Sequence, residues 1–193
     1  MIIVLVGIDG AGKSTAGRLL AQQLNAADYP AAFRRNESGR RSLAAWCGRS
    51  GLHPPEAALD ALETVLRCAN VLISHARART GPGVVVMDRY LHCQLALRRA
   101  RGLRVGRLLP FLLTVLPTPD VVFYFDVPVD VAHARITGRA VDTETIEHLQ
   151  RFDDAYQGLD AFPSFIVLDA SRSAEELVED MLQELGMCGL GLQ

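Results

Sequence analysis

Gly7, Gly10, Gly12, Lys13 and Ser14 fall in one stretch, Gly-Ile-Asp-Gly-Ala-Gly-Lys-Ser, that satisfies the spacing GxxxxGK[ST]. Each residue type answers a need of phosphate chemistry. The glycines, with small Ala11 between them, let backbone N–H groups converge on phosphate oxygens with no Cβ in the way. The ammonium of Lys13 can reach β- and γ-phosphates, and the Ser14 hydroxyl can hold Mg²⁺. Thr15 completes the nucleotide-binding stretch. A glycine-rich turn that merely joins strand to helix is the plainer explanation, but such a turn needs no Lys-Ser pair at its end. Of the 20 basic residues, Lys13 is the single lysine, and it stands where a compact point charge is wanted. These residues imply a nucleoside triphosphate and Mg²⁺ without yet naming a reaction.

A second set of charged residues follows later strands. Asp88-Arg89-Tyr90 ends the run Val84 to Met87, the place where a parallel sheet presents catalytic groups. Asp88 also suits a helix N-cap, and Arg89 has an exposed arginine as its plain alternative. Arg135 and Arg139 lie four apart on one helix face, just before the short loop Ala140 to Thr143. Two cations that complement a helix C-terminus are the simpler account of that pair. Arg67 sits on a long amphipathic helix, where an exposed arginine is equally ordinary. The cluster Arg98, Arg99, Arg101, Arg104 and Arg107 has no interleaved aromatics, so it reads as a solvated corner and not as a nucleic-acid surface.

The elements that must position these groups are legible. Ile2 to Val6 is a continuous apolar, mostly β-branched run, hence a buried parallel strand, and a helix follows from Lys13 to about Asn25. Ala31 to Phe33 reads as a strand, with a polar arginine-rich loop from Arg34 to Ser42. Pro54-Pro55 opens a helix to about Ala78, ended by Gly81-Pro82-Gly83. Val84 to Met87 is a strand, then helices span Leu91 to Arg101 and Arg104 to Leu116. Val121 to Phe125 is a strand, and Pro128 sits where a first helical residue belongs, in a helix running to about Thr137. Glu144 to Gln157 and Ala174 to Leu185 are helical, with a strand at Phe165 to Leu168. Strands alternating with helices predict a three-layer α/β fold with a parallel sheet, in one domain over residues 1–193.

Composition agrees. A 193-residue chain with 49% hydrophobic and 22% charged residues supports an ordinary packed core. Its four cysteines form no CxxC pair, which argues against zinc and for a reducing compartment. A net charge of −2 gives no global field for nucleic acid. The run Met1 to Ile8 is too short for an export signal or a span, and prolines break Leu108 to Phe125. A cytoplasmic protein with no membrane partner is expected. A guanine-nucleotide switch is disfavoured, since no second lysine exists to build the usual base reader.

Taken together, Gly-Ile-Asp-Gly-Ala-Gly-Lys-Ser-Thr, Asp88-Arg89-Tyr90 and Pro119-Asp-Val-Val-Phe-Tyr-Phe-Asp-Val-Pro128 resemble the thymidylate kinase family over nearly the whole chain. The resemblance implies transfer of the γ-phosphoryl of ATP to a pyrimidine nucleoside monophosphate. It implies a P-loop NTPase fold with a five-stranded parallel sheet flanked by helices, a lid at about residues 137–144 and a possible homodimer. By the same resemblance, Asp9 lies between donor and acceptor phosphates, Arg89 clamps the acceptor, and Asp88 helps Ser14 hold Mg²⁺. With Gly10 at the variable loop position, Arg135 or Arg139 supplies the transition-state cation. Arg67 reads the base, Glu144 lies near the sugar, and Arg35 approaches phosphate from a rewritten loop. After Tyr90 the family usually carries a serine, a small or amide residue, and an aromatic, where this chain has Cys93, Gln94 and Leu97. Gln94 and Leu97 are thus expected to line altered base and sugar walls. Two rivals stand beside this reading. One is a kinase for an unphosphorylated nucleoside or metabolite, and the other is a nucleotide-binding module with no catalysis.

Overall fold

The run Ile2–Val6 forms strand β1, and none of its side chains is more than 2% exposed. A strand apolar on both faces must be covered on both, so it belongs inside a parallel sheet. The computed structural model, which describes residues 1–36, 56–81, 83–138 and 144–186, contains that sheet. Its other strands are β2 (Ala31–Arg35), β3 (Val84–Asp88), β4 (Val121–Asp126) and β5 (Ile166–Asp169). The order is β2-β3-β1-β4-β5 and every pairing is parallel. Leu5 pairs with Asp88 on one side and Phe123 on the other, so β1 and β3 end within one residue of each other while β4 runs on to Asp126. The order changes direction at β1, and the crevice outside that switch point is where such sheets bind ligands.

Helices cover the sheet on both faces, giving three layers. They are α1 (Lys13–Ala26), α2 (Glu56–Thr80), α3 (Leu91–Ala100), α4 (Leu108–Val115), α5 (Val129–Thr137), α6 (Ile146–Gln157) and α7 (Ala174–Glu184). Helix α1 packs on α7, β2 and β3, whereas α2 meets β1, β3 and α3, and α3 lies on α6. Among the described residues, no helix is long and apolar enough to cross a membrane.

Several boundaries differ from the sequence expectation, each for a local reason. Strand β2 continues through Arg34 and Arg35 because β3 runs on to Asp88 and pairs with Arg35. Pro128, at ψ 133, is the N-cap of α5 and not its first helical residue. Helix α6 begins at Ile146, not Glu144, since the Thr145 side chain accepts the His148 N–H at 3.2 Å. Helix α4 begins at Leu108, not Arg104. Gly106 takes φ 66 there, and Arg98 Nη2 donates to the Arg104 carbonyl at 3.0 Å, closing the turn instead. The expected loop beyond residue 36, and Arg139 with the centre of the expected lid, lie outside the described residues.

Candidate active site

The glycine-rich loop joins β1 to α1 and faces the crevice. Gly12 is the N-cap of α1 at φ 88, a conformation that L side chains rarely adopt, and no side chain caps the helix. By contrast, α7 closes its own first turn with a reciprocal Ser173–Glu176 capping box. The first amides of α1, together with the positive end of its dipole, are therefore presented to an anion. Lys13 is 5% exposed, and its Nζ donates to the Ile8 carbonyl at 2.6 Å across the loop. A small cleft is lined by Asp9, Gly10, Gly12, Lys13, Ser14, Thr15, Asp88 and Arg89. Gly7 and Ala11 support it from below, both buried.

Gly10 is glycine for a steric reason. A Cβ there would lie 2.4 Å from the Ala132 carbonyl oxygen on α5, and its φ is 84. Gly10→Ala should therefore destabilise the fold by about 2–5 kcal/mol, from overpacking and backbone strain together. The melting temperature should fall by roughly 5–15 °C for a chain of this size. An unchanged melting curve would mean that α5 does not rest on the loop.

The far side of the cleft is built on the end of β3. Arg89 takes φ 77, in the left-handed region that a bulky residue occupies only at a cost. Such strain persists where the surroundings hold it, and it clusters at functional positions. Arg89 Nη2 pairs with Asp9 Oδ1 and Nη1 donates to Cys93 Sγ at 3.4 Å. The Ser14 hydroxyl donates to Asp88 Oδ2, while Asp88 Oδ1 is buried without a hydrogen-bond partner. Asp88 thus ends a strand, and the N-cap of α3 is Tyr90. Tyr90 is anchored separately, its hydroxyl donating to the Pro117 carbonyl. His92 packs between Tyr90 and Phe165, and burial lowers its pKa to about 4, so it stays neutral near pH 7.

Behind the cleft stands a polar wall. Arg67 is 4% exposed, which excludes the solvated arginine that an amphipathic helix allows. Its Nη2 meets Glu63 Oε1 at 2.9 Å, and its Nη1 meets the Asn36 carbonyl at 3.1 Å. Asn36 in turn donates its N–H to the Asp88 carbonyl at 3.0 Å. This chain of bonds ties α2 to the ends of β2 and β3. Gln94 is 2% exposed and donates from Nε2 to Thr64 Oγ1 at 2.7 Å, leaving Oε1 without a partner. Leu97, one helical turn beyond Cys93, is partly buried against the core. Glu144 lies close enough to Arg89 to stabilise its charge. Arg35 sits at the β2 end beside Asp88 and is exposed.

With this geometry in view, the comparison with known sequences is decisive. The thymidylate kinase family profile matches residues 5–181. A probable thymidylate kinase of Thermococcus gammatolerans is 31% identical, over 94% of each chain. A thymidylate kinase of Xylella fastidiosa is also 31% identical, over 94% of this chain and 88% of its own. A probable thymidylate kinase of Pyrobaculum aerophilum is 30% identical, over 94% of each chain. This chain belongs to the thymidylate kinase family. It is a phosphotransferase of the nucleoside monophosphate kinase kind.

Arg89 and Lys13 both line the cleft. Arg135 lies outside the cleft lining. Its guanidinium donates to the carbonyls of Ala170 at 3.0 Å, Ser171 at 3.4 Å and Gly10 at 3.5 Å. Ser14 and Asp88 offer hard oxygen donors, one of them unpartnered, which suits Mg²⁺ bound with few protein ligands and nucleotide phosphates. Sequence reasoning passed over Asn36, Thr64 and Tyr156. A single polar residue at a strand end, or a tyrosine at a helical core position, carries no local signal that it will meet an arginine or an amide across the fold.

Proposed function

We propose that the enzyme transfers the γ-phosphoryl group of ATP, with Mg²⁺, to a pyrimidine nucleoside 5′-monophosphate, releasing the diphosphate. The observation that carries this reading is Arg89, an arginine in a costly backbone conformation that faces the glycine-rich loop across the cleft. A neutral hydroxyl offers its guanidinium no charge to pair with beyond Asp9, whereas a phosphate dianion does. Lys13 and the loop amides hold the donor phosphates, and Ser14 with Asp88 holds the metal. Asp9 orders the acceptor phosphate between them. Two phosphate groups repel, so in-line transfer depends on fixed geometry and on cations already in place. Arg135, which touches the loop tip at Gly10, or Arg139 beyond it, supplies the cation for the transferring group.

The wall accounts for the base and sugar. The unpartnered Gln94 Oε1 would be satisfied by a pyrimidine ring N–H, and Arg67 supports the same wall. Glu144 lies on the sugar side and Arg35 on the phosphate side. The reaction belongs in the cytoplasm. Val65, Leu72 and Ile73, exposed on α2, offer an apolar face to a second copy in a homodimer. An assay that couples ADP release to a panel of monophosphates and nucleosides tests the reading. Turnover with pyrimidine monophosphates supports it, and turnover with nucleosides alone, or none, rejects it.

Leu97 occupies the place of the family's sugar-side aromatic, and its smaller side chain opens room beside the 2′ carbon. A pocket that merely tolerates a hydroxyl discriminates by about 10²-fold at most. The ratio of kcat/KM for dUMP over UMP should fall within that range and rise in Leu97→Phe. A wild-type ratio above about 10⁴, or no change in the variant, would remove Leu97 from the sugar pocket.

A further inference from the structure

Arg89 is held at both ends of its fork, by unlike partners. Asp9 takes Nη2 at the cleft, and Cys93 Sγ accepts from Nη1 at 3.4 Å on the core side. The Asp9 and Arg89 side chains keep 33% and 25% of their exposure, whereas Cys93 has none. An arriving phosphate therefore meets the Asp9 end and cannot reach the sulfur end.

The sulfur lies among groups from three elements. Arg89 approaches from the end of β3 and Arg67 from α2. The buried Tyr156 hydroxyl, on α6, turns toward the sulfur and toward the Gly7 amide on the loop without closing a formal hydrogen bond to either. Glu63 faces Arg67, and Asp9 and Glu144 face Arg89. Burial raises the Cys93 thiol, but the two guanidinium groups outweigh it and leave the thiol below its ordinary value. A hydrogen bond between a guanidinium and a sulfur of this kind is charge-assisted and directional.

We infer that Cys93 is a positioning residue for the acceptor step: its sulfur pins Nη1 of Arg89 from the core, so that Nη2 and the open edge of the fork face the acceptor phosphate. The inference rests on the acceptor reading proposed above. Without the sulfur, Arg89 keeps its charge and its place after β3 but loses the contact that fixes the plane of the fork.

Steady-state kinetics of Cys93→Ala and Cys93→Ser, with thermal melts as the fold check, test the role. The alanine variant should raise KM for the monophosphate about tenfold or more, the loss of one hydrogen bond to a charged group. Its KM for ATP should not change. Serine, which still accepts from Nη1, should recover most of the loss. A second measurement does not depend on any substrate. The ultraviolet thiolate absorbance lost in Cys93→Ser should titrate below the ordinary thiol range in the wild type, and should move upward in Arg89→Met. An unmoved titration, or an alanine variant with normal monophosphate KM, would overturn the inference while leaving the acceptor reading intact. A wild type with no monophosphate turnover would overturn the acceptor reading, and this inference with it.

Discussion

Lys13→Ala should lower kcat by about 10²–10³-fold, the usual cost of removing one preorganised donor to developing charge. The Lys13 ammonium spans the loop to the Ile8 carbonyl at 2.6 Å and is nearly buried, so its position is set before any nucleotide arrives. That preorganisation is what makes the expected effect large, because no reorganisation is needed during the reaction. Alanine is the best helix former and stands at the first residue of α1, so the fold should survive. Single-turnover and steady-state rates, with circular dichroism as the control, measure the effect. A folded variant with near-wild-type turnover would refute the assignment of the loop.

Arg89→Lys should raise the monophosphate KM and lower kcat, together costing about 10- to 150-fold in kcat/KM, the worth of one hydrogen bond to a charged group. Lysine keeps the positive charge but loses the planar fork that bridges Asp9 and Cys93. Affinity for ATP alone should change little, since the donor side is held by Lys13 and the loop. Separate binding measurements for the two nucleotides, by calorimetry, distinguish the sides. Normal binding of the monophosphate would place the acceptor site elsewhere and favour a nucleoside as the true acceptor.

The central architecture was legible in the sequence because its signals are local. A short apolar, mostly β-branched run reads as a covered strand, and the glycine spacing before Lys13 is dictated by backbone sterics within eight residues. Asp88 and Arg89 were likewise marked by their place after a buried strand. What the sequence could not show depends on pairs far apart along the chain. The two arginines after Phe33 read as a polar loop, yet they extend β2, because the length of a strand is decided by the partner that continues beside it. Arg67 read equally well as exposed or functional. Only the approach of Asn36, 31 positions away, closes it into the wall.

The same holds for the groups around Arg89. The triad Asp88-Arg89-Tyr90 names the residue but not its left-handed backbone or its two unlike partners, one 80 positions upstream and the other four downstream. Cysteine at 93 was visible as a departure from serine. That its sulfur would lie beside two guanidinium groups required α2, β3 and α6 to converge. Residue types and short spacings determined which chemistry this protein carries, since phosphate binding by a loop is a local property of the backbone. The tertiary structure alone decided which charges meet, since electrostatic and hydrogen-bond partners act through distance in space and leave no period or motif along the chain.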